Sequence, residues 1–452
     1  MQLTFLGATN TVTGSKFLLT VGNKKILIDC GLYQGLKELR ERNWTPFPID
    51  PLRIDAVVLT HAHIDHSGYL PVLVKNGFTG KVFCSHATKD LCAVLLPDSG
   101  YLQEEEAKLA NKRGYSKHKP AVPLYTRIEA ENTLRQFQAM EFRKEKRIDD
   151  DLTMSLIPAG HILGASLVQF KYFNSTLLFS GDLGRPNDPL MYPPAIVQAA
   201  DYLVLESTYG NRLHKKIDPV DELADIINRT AARGGVIIIP AFAVGRAQHM
   251  LYLMYQLKIK KRIPDIPVYL DSPMAKDATD IFKKYAALHR LDPELSQKVC
   301  EIATYINSRE ESKELDKESS PKIIISASGM LEGGRVLHHI RAFGPDEKNS
   351  IVFTGYQAAG TRGADITNGK RELKVFGEKI PVNAETKILS NMSAHADYEE
   401  ILVWLSHFNH HPSKIFITHG EPDAAQSLKE KIEERYQWPC VVPDYLQTET
   451  LT

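Results

Sequence analysis

Four side chains able to bind a metal fall within six residues, His61-Ala-His63-Ile-Asp65-His66, directly after the apolar run AVVLT. Such a run reads as a buried strand, so the four emerge together at a strand end and can point into one cleft. Imidazole nitrogens with carboxylate oxygens are the donor set that suits zinc or a similar divalent ion. The same placement recurs three times. His161 follows Leu156-Ile-Pro-Ala-Gly, Asp182 follows Leu177-Leu-Phe-Ser-Gly, and His419 follows Ile415-Phe-Ile-Thr. Two ions about 3.5–4 Å apart need a bridging carboxylate and roughly three further protein ligands each, which these side chains supply.

Around these positions the chain changes texture. Short alternating or apolar runs at Gln2–Leu6, Ser15–Thr20, Lys25–Asp29 and Ala56–Thr60 predict strands, the first three as an antiparallel meander. From Leu91 to Arg143 the pattern is helical and polar, with a second helical run over Thr126–Met140; strands resume at Leu152–Ile157, Ser166–Tyr172, Thr176–Ser180 and Tyr202–Leu205. Between Asp218 and Thr354, helical patterns alternate with the runs Val236–Pro240, Val268–Leu270, Ile323–Ser326 and Ser350–Thr354, as expected of a parallel sheet flanked by helices. Strand texture like that of the first segment returns at Lys387–Leu389 and Lys414–Thr418, followed by a helix from Pro422 to Arg435. This order predicts a first domain split by an inserted second one.

Composition narrows the function classes. With 43% hydrophobic residues and 55 Lys+Arg against 55 Asp+Glu, the chain has apolar material for a sizeable core and no global field to attract an acidic partner. Nucleic-acid binding must then be local. The 5 cysteines are widely spaced without a Cys-x-x-Cys pair and predict buried free thiols. No apolar stretch is long enough to cross a bilayer, and the start lacks the order of a signal peptide, so a cytoplasmic protein without a membrane partner is expected.

The series Asp29, His61-x-His63-x-Asp65-His66, His161 and Asp182 resembles the motifs of the metallo-β-lactamase superfamily. Three further segments resemble its β-CASP branch of nucleic-acid-processing enzymes: Glu206-Ser-Thr-Tyr-Gly, Ser393-Ala-His395-Ala-Asp397 and Thr418-His419-Gly420-Glu421. Inside the insert, GGVIIIPAFAVGRAQ, SASGMLEGGRVLHHI and FTGYQAAGTRG are similar to stretches of compact bacterial RNA-cleaving members. The resemblance implies an α/β chain: an αββα sandwich (1–208 and 373–452) carrying a Rossmann-like α/β β-CASP domain (209–372). It implies two zinc ions per chain, with manganese as the alternative. One would be held by His61, His63 and His161, the other by Asp65, His66 and His419, with Asp182 bridging. Asp65 would also belong to the catalytic set. Asp29 would orient the ligand loop. Glu206 would orient His395, which would stabilise the transition state or protonate the leaving oxygen.

The chemistry fits a phosphodiester. Two cations and a protonatable imidazole answer the charge developing on the non-bridging oxygens and the leaving alkoxide, and a metal-bound hydroxide serves as nucleophile without Ser or Cys. Glycine-rich turns after apolar strands in the insert can present backbone N–H groups and the hydroxyls of Ser328 and Thr354 to phosphates, with Arg246, Arg335 and Arg362 as charge partners. The basic run Lys112–Lys119 reads as a solvated loop or part of an RNA path, Arg309–Ser320 as a solvated helix end and loop, and His338-His339 and His410-His411 as helix-surface and loop residues.

The resulting expectation is an endoribonuclease acting on single-stranded RNA and leaving 5′-phosphate and 3′-hydroxyl ends, with a homodimer allowed. The absence of a KH-type extension or a long C-terminal domain in this sequence favours endonucleolytic action. Alternatives are a 5′-exoribonuclease or DNA nuclease of the same family, a hydrolase of small esters or lactams, and a non-catalytic RNA-binding subunit. His419 favours RNA over DNA, because DNA-repair relatives typically lack it.

Overall fold

A computed structural model describes residues 1–389 and 391–452. Two seven-stranded sheets lie face to face. The first runs Thr448–Thr450, Gln2–Phe5, Phe17–Val21, Lys24–Ile28, Ala56–Val58, Lys81–Ser85 and Phe137–Met140. The second runs Cys440–Val441, Lys414–Thr418, Tyr202–Glu206, Ser175–Phe179, Ser166–Tyr172, Leu152–Pro158 and Lys146–Arg147. The expected antiparallel meander is present, Gln2–Phe5 pairing with Phe17–Val21 and that strand with Lys24–Ile28.

Side-chain alternation along each strand builds the layers. Ile26 and Ile28 point into the apolar seam between the sheets, where Phe5 meets Phe416 at 5.2 Å and Phe17 meets Phe179 at 5.8 Å between ring centroids. Leu27, between them, points the other way, into the core beneath the helices. Strands buried on both faces read as continuous apolar runs, which is why AVV and YLVLE show no polar alternation.

The insert is a parallel six-stranded sheet in the order Thr304–Tyr305, Val268–Asp271, Ile323–Ser326, Ile237–Pro240, Ser350–Phe353 and Glu385–Ile388. Ile237 and Ile239 belong to the large core shared with the first domain, whereas Ile238 faces a separate core built within the insert. Polar contacts also tie the two together. The long helix His86–Arg113 places Asp90 2.6 Å from Lys284 and 2.8 Å from the Tyr285 hydroxyl of the insert.

Three sequence expectations are corrected. The strand expected at Lys387–Leu389 does not rejoin the first domain: Glu385–Ile388 pairs with Ser350–Phe353 in the insert's sheet, and Leu373, Val375 and Ile380 of the preceding hairpin pack in the insert's core. The helix expected over Thr126–Met140 stops at Thr133, and Phe137–Met140 is the edge strand of the first sheet, with Phe137 and Met140 buried and Gln138 exposed. His339 is not a surface residue. It is buried, with Nδ1 2.7 Å from Asp316 and Nε2 2.8 Å from Asp271, while its neighbour His338 is exposed. The segment around Arg309 forms the helix Arg309–Lys317, whose Ser312 hydroxyl donates to Asp271.

Candidate metal centre and active site

Parallel pairing brings the ends of Ser175–Phe179, Tyr202–Glu206 and Lys414–Thr418 side by side, with Glu206 opposite Thr418. Asp182, Glu206 and His419 therefore emerge at one edge of the second sheet. His61 to His66 leave the end of Ala56–Val58 in the facing sheet, and His161 follows Leu152–Pro158. The loops approach tightly. A side chain on Gly31 would meet the Asp65 carbonyl oxygen at 1.5 Å, so only glycine lets that loop lie against the ligand turn. His419 itself adopts φ +50, a left-handed conformation held by its N–H donating to Ala8 O at 2.7 Å.

The seven ligand-type side chains converge in two groups that share Asp182. In the first, His61 Nε2 is 3.0 Å from His63 Nδ1, His161 Nε2 is 3.4 Å from His63 Nδ1, and Asp182 Oδ2 is 3.4 Å from both His61 Nε2 and His161 Nε2. In the second, His66 Nε2 lies 3.1 Å from His419 Nε2 and 3.2 Å from Asp182 Oδ1, and Asp65 Oδ2 lies 3.6 Å from His419 Nε2. Donors about 2.0–2.1 Å from a tetrahedral zinc stand about 3.3 Å apart, the spacing seen here.

Hydrogen bonds behind the cluster fix the tautomers. Asp29 Oδ2 accepts from His66 Nδ1 at 2.7 Å, and its Oδ1 takes the Thr60 N–H at 2.7 Å. The Thr60 hydroxyl donates to Asp29 Oδ2 at 2.9 Å and can then accept from His61 Nδ1 at 3.0 Å. Thr208 Oγ1 takes His419 Nδ1 at 3.1 Å. Each arrangement puts the ring proton on Nδ1 and leaves the Nε2 lone pair facing the centre, the form a ligating imidazole needs.

Electrostatics divide the rings: burial opposes charge on His66, but Asp182 and Asp29 overcome it and hold His66 well above the ordinary imidazole range. Burial holds His61 and His161 well below the ordinary imidazole range and brings His63 down to about 4. Burial also works against charge on Asp182, but the surrounding His419, His66 and His61 hold its carboxyl well below the usual range. Unshared lone pairs and a carboxylate aimed at one point repel one another unless a cation sits among them. Asp182 Oδ1 is buried without a hydrogen-bond partner. The donor set fits a pair of divalent cations.

Beside the centre, His395 Nδ1 lies 3.1 Å from both Glu206 oxygens and 3.9 Å from Asp182 Oδ2. Burial opposes its charge, but Glu206 and Asp182 overcome this and raise its pKa to about 9. Glu206 is itself fixed by the Leu183 N–H at 2.6 Å. The loop carrying His395 is held by His214, whose Nε2 is 2.9 Å from the His395 carbonyl and whose N–H donates to Asp397 at 2.9 Å.

The candidate substrate residues of the insert divide. Arg246 is buried, with Nη1 3.1 Å from His249 Nδ1, and lines a cavity together with His161 and Ala394. Arg335 is taken up by Asp271 at 2.6 Å and by the carbonyls of Ile306 and Asn307; Arg362 is taken up by the carbonyls of Lys374, Leu331 and Glu332. Ser328 Oγ accepts from Glu332 N, and Thr354 Oγ1 donates to Pro240 O. All 5 cysteines are free and buried, with burial pushing Cys30 and Cys92 up to about 12. Among the described residues, no helix is long and apolar enough to cross a membrane.

Thr60, Thr208 and His214 lie outside the motif ligands. For the two threonines a weak signal exists, since each sits beside a motif residue at a strand end; His214 has none, because its partner is a backbone carbonyl 181 positions away.

Comparison with known proteins places this architecture. Residues 11–224 match the family model of the metallo-beta-lactamase superfamily, 247–366 that of the Beta-Casp domain, and 379–443 that of the Zn-dependent metallo-hydrolase RNA specificity domain. The chain is 33% identical to Ribonuclease TTHA0252 of Thermus thermophilus, covering 97% of each. It is 30% identical to the transcription termination factor FttA of Methanosarcina mazei over 96% of this chain and 69% of that one, and 28% identical to an RNase J-like protein of Methanocaldococcus jannaschii over 93% and 92%. A crystal structure of a protein of unknown function from Enterococcus faecalis shares the fold at TM-score 0.54 and 13% identity, covering 100% of this chain and 99% of that one. With two ligand groups sharing a carboxylate along one sandwich edge and a parallel-sheet insert packed against it, the chain belongs to the β-CASP branch of the metallo-β-lactamase superfamily.

Proposed function

We propose that this protein is an endoribonuclease that hydrolyses phosphodiesters of single-stranded RNA, leaving 5′-phosphate and 3′-hydroxyl ends. The observation that carries the reading is the pair of ligand groups joined through Asp182, with His395 held beside them by Glu206. His61, His63 and His161 would hold one ion and Asp65, His66 and His419 the other, Asp182 serving both; zinc suits the donors, and manganese is the alternative. Bound there, the pair supplies a hydroxide at neutral pH and takes up charge on the phosphoryl oxygens.

The chain's own residues do the rest. Asp29 and Thr60 keep His66 and His61 in the ligating tautomer. Glu206 keeps His395 protonated, and His395 Nε2 delivers that proton to the departing 3′-oxygen. Arg246 stands at the cavity beside His161 to meet a phosphate oxygen, while Arg335 and Arg362, with Ser328 and Thr354, hold the insert's loops in shape. The names of the relatives, a ribonuclease and an RNase J-like protein, support RNA as the polymer.

A circular RNA tests the proposal, because it offers no end to an exonuclease. Purified protein with zinc or manganese is expected to linearise it and leave 5′-phosphate termini, whereas the His61→Ala/His63→Ala protein leaves it closed. Equal cutting by both proteins would reject the assignment.

A further inference from the structure

Next to His395, three side chains make an aromatic and cationic surface. The ring of Tyr209 lies 6.3 Å from that of His395, with the planes 29° apart, and Tyr356 from the insert stands 6.1 Å from Tyr209 at 68°. Across both lies Arg212, its guanidinium carbon 5.6 Å from the Tyr209 centroid and 5.9 Å from the Tyr356 centroid. Arg212 is exposed, and its only side-chain hydrogen bond among the described residues goes to Asn211 Oδ1. No described carboxylate pairs with it.

An exposed guanidinium without a carboxylate partner, within cation–π reach of two phenol rings set 68° apart, adds a planar cationic group to an aromatic surface. Nucleobases stack on such faces whatever their sequence, and the neighbouring charge suits a phosphate. Position decides which base. On the reading proposed above, His395 protonates the leaving 3′-oxygen, and that oxygen belongs to the nucleotide on the 5′ side of the cut bond. We propose that Arg212, Tyr209 and Tyr356 form the subsite for the base of that nucleotide. The inference rests on the nuclease reading and adds a substrate position to it.

The test uses the full chain loaded with zinc or manganese and a single-stranded oligoribonucleotide whose main cut has been mapped. An abasic ribose is placed either immediately 5′ or immediately 3′ of that bond. For the unaltered protein, loss of the 5′-side base is expected to lower kcat/KM roughly 5- to 100-fold, the worth of one stacked base. In Arg212→Ala and Tyr356→Leu the intact RNA is cut more slowly, and the 5′-side penalty shrinks below about 2-fold. Tyr356→Trp keeps the penalty, and the 3′-side penalty is the same in every protein. Arg212 is on the surface, so its variant folds normally. An unchanged 5′-side penalty in both variants, or a change at the 3′ side instead, would overturn the subsite while leaving the nuclease reading intact. If the unaltered protein cuts no RNA that the His61→Ala/His63→Ala protein spares, the nuclease reading fails and the subsite with it.

Discussion

His214 Nε2 donates to the backbone carbonyl of His395 at 2.9 Å, so the imidazole proposed to deliver a proton is positioned through its own main chain by a second histidine. His214→Ala removes one buried hydrogen bond, worth about 1 kcal/mol, and should lower kcat on single-stranded RNA about 5- to 10-fold with KM nearly unchanged. His214→Gln, which restores a donor, should recover part of the loss. A rise in KM with kcat intact would show that His214 acts on binding instead.

The role of His395 can be separated from that of the ligand groups by choice of leaving group. His395→Ala should lower kcat on RNA by about 10²–10⁴-fold, and Glu206→Gln by less. On bis(p-nitrophenyl) phosphate, whose phenolate departs without a proton, both variants should work nearly as well as the parent. Equal losses on both substrates would remove His395 from the proton-transfer role.

Asp182 is the one side chain common to both ligand groups, with one oxygen toward each. Asp182→Ala should therefore cost both ions, and metal analysis after gel filtration should find well under one per chain where the parent retains about two. His63→Ala should spare the second site. Full metal content in Asp182→Ala would sink the bridging assignment.

The buried pair Asp271–His339 makes the insert's stability depend on pH. Burial opposes charge on both, but hydrogen bonds to Asp271 and Asp316 raise His339 above 6.5, and bonds from His339, Ser312 and Arg335 lower Asp271 below 3.8. For His339, the stabilisation is complete below pH 6.5 and is lost as pH rises through its raised value. For Asp271, it is present above pH 3.8 and is lost as pH falls through its lowered value. Urea midpoints should thus decline on the alkaline side. His339→Ala, which removes one charged hydrogen bond from a buried carboxylate still held by Ser312 and Arg335, should cost about 1.5–3 kcal/mol and abolish that decline. A parallel alkaline decline in the variant would refute the assignment.

What could be read from the sequence follows from how far each signal reaches along the chain. The cluster of ligand-type residues after Ala56–Val58 and the ligand-type residues after three other strands were legible because a strand end and its next residues form a local unit. The parallel sheet of the insert was legible for the same reason, its isoleucine runs being short, apolar and evenly interrupted. His339 was misjudged because helical position alone does not disclose a carboxylate waiting on Asp271, 68 residues earlier. Glu385–Ile388 was assigned to the wrong sheet because a four-residue strand carries no mark of its partner. The motif arginines looked like phosphate binders, and for Arg335 and Arg362 only the folded chain reveals carbonyls already occupying the guanidinium.

Lys414–Thr418 slots between Tyr202–Glu206 and Cys440–Val441 and carries His419 at its end, more than two hundred residues after Asp182. A growing polypeptide therefore carries the first ligand group complete long before the second gains its last imidazole. On the reading proposed here, a chain able to cut transcripts stays silent beside its own messenger while the more than two hundred residues between Asp182 and His419 are being made.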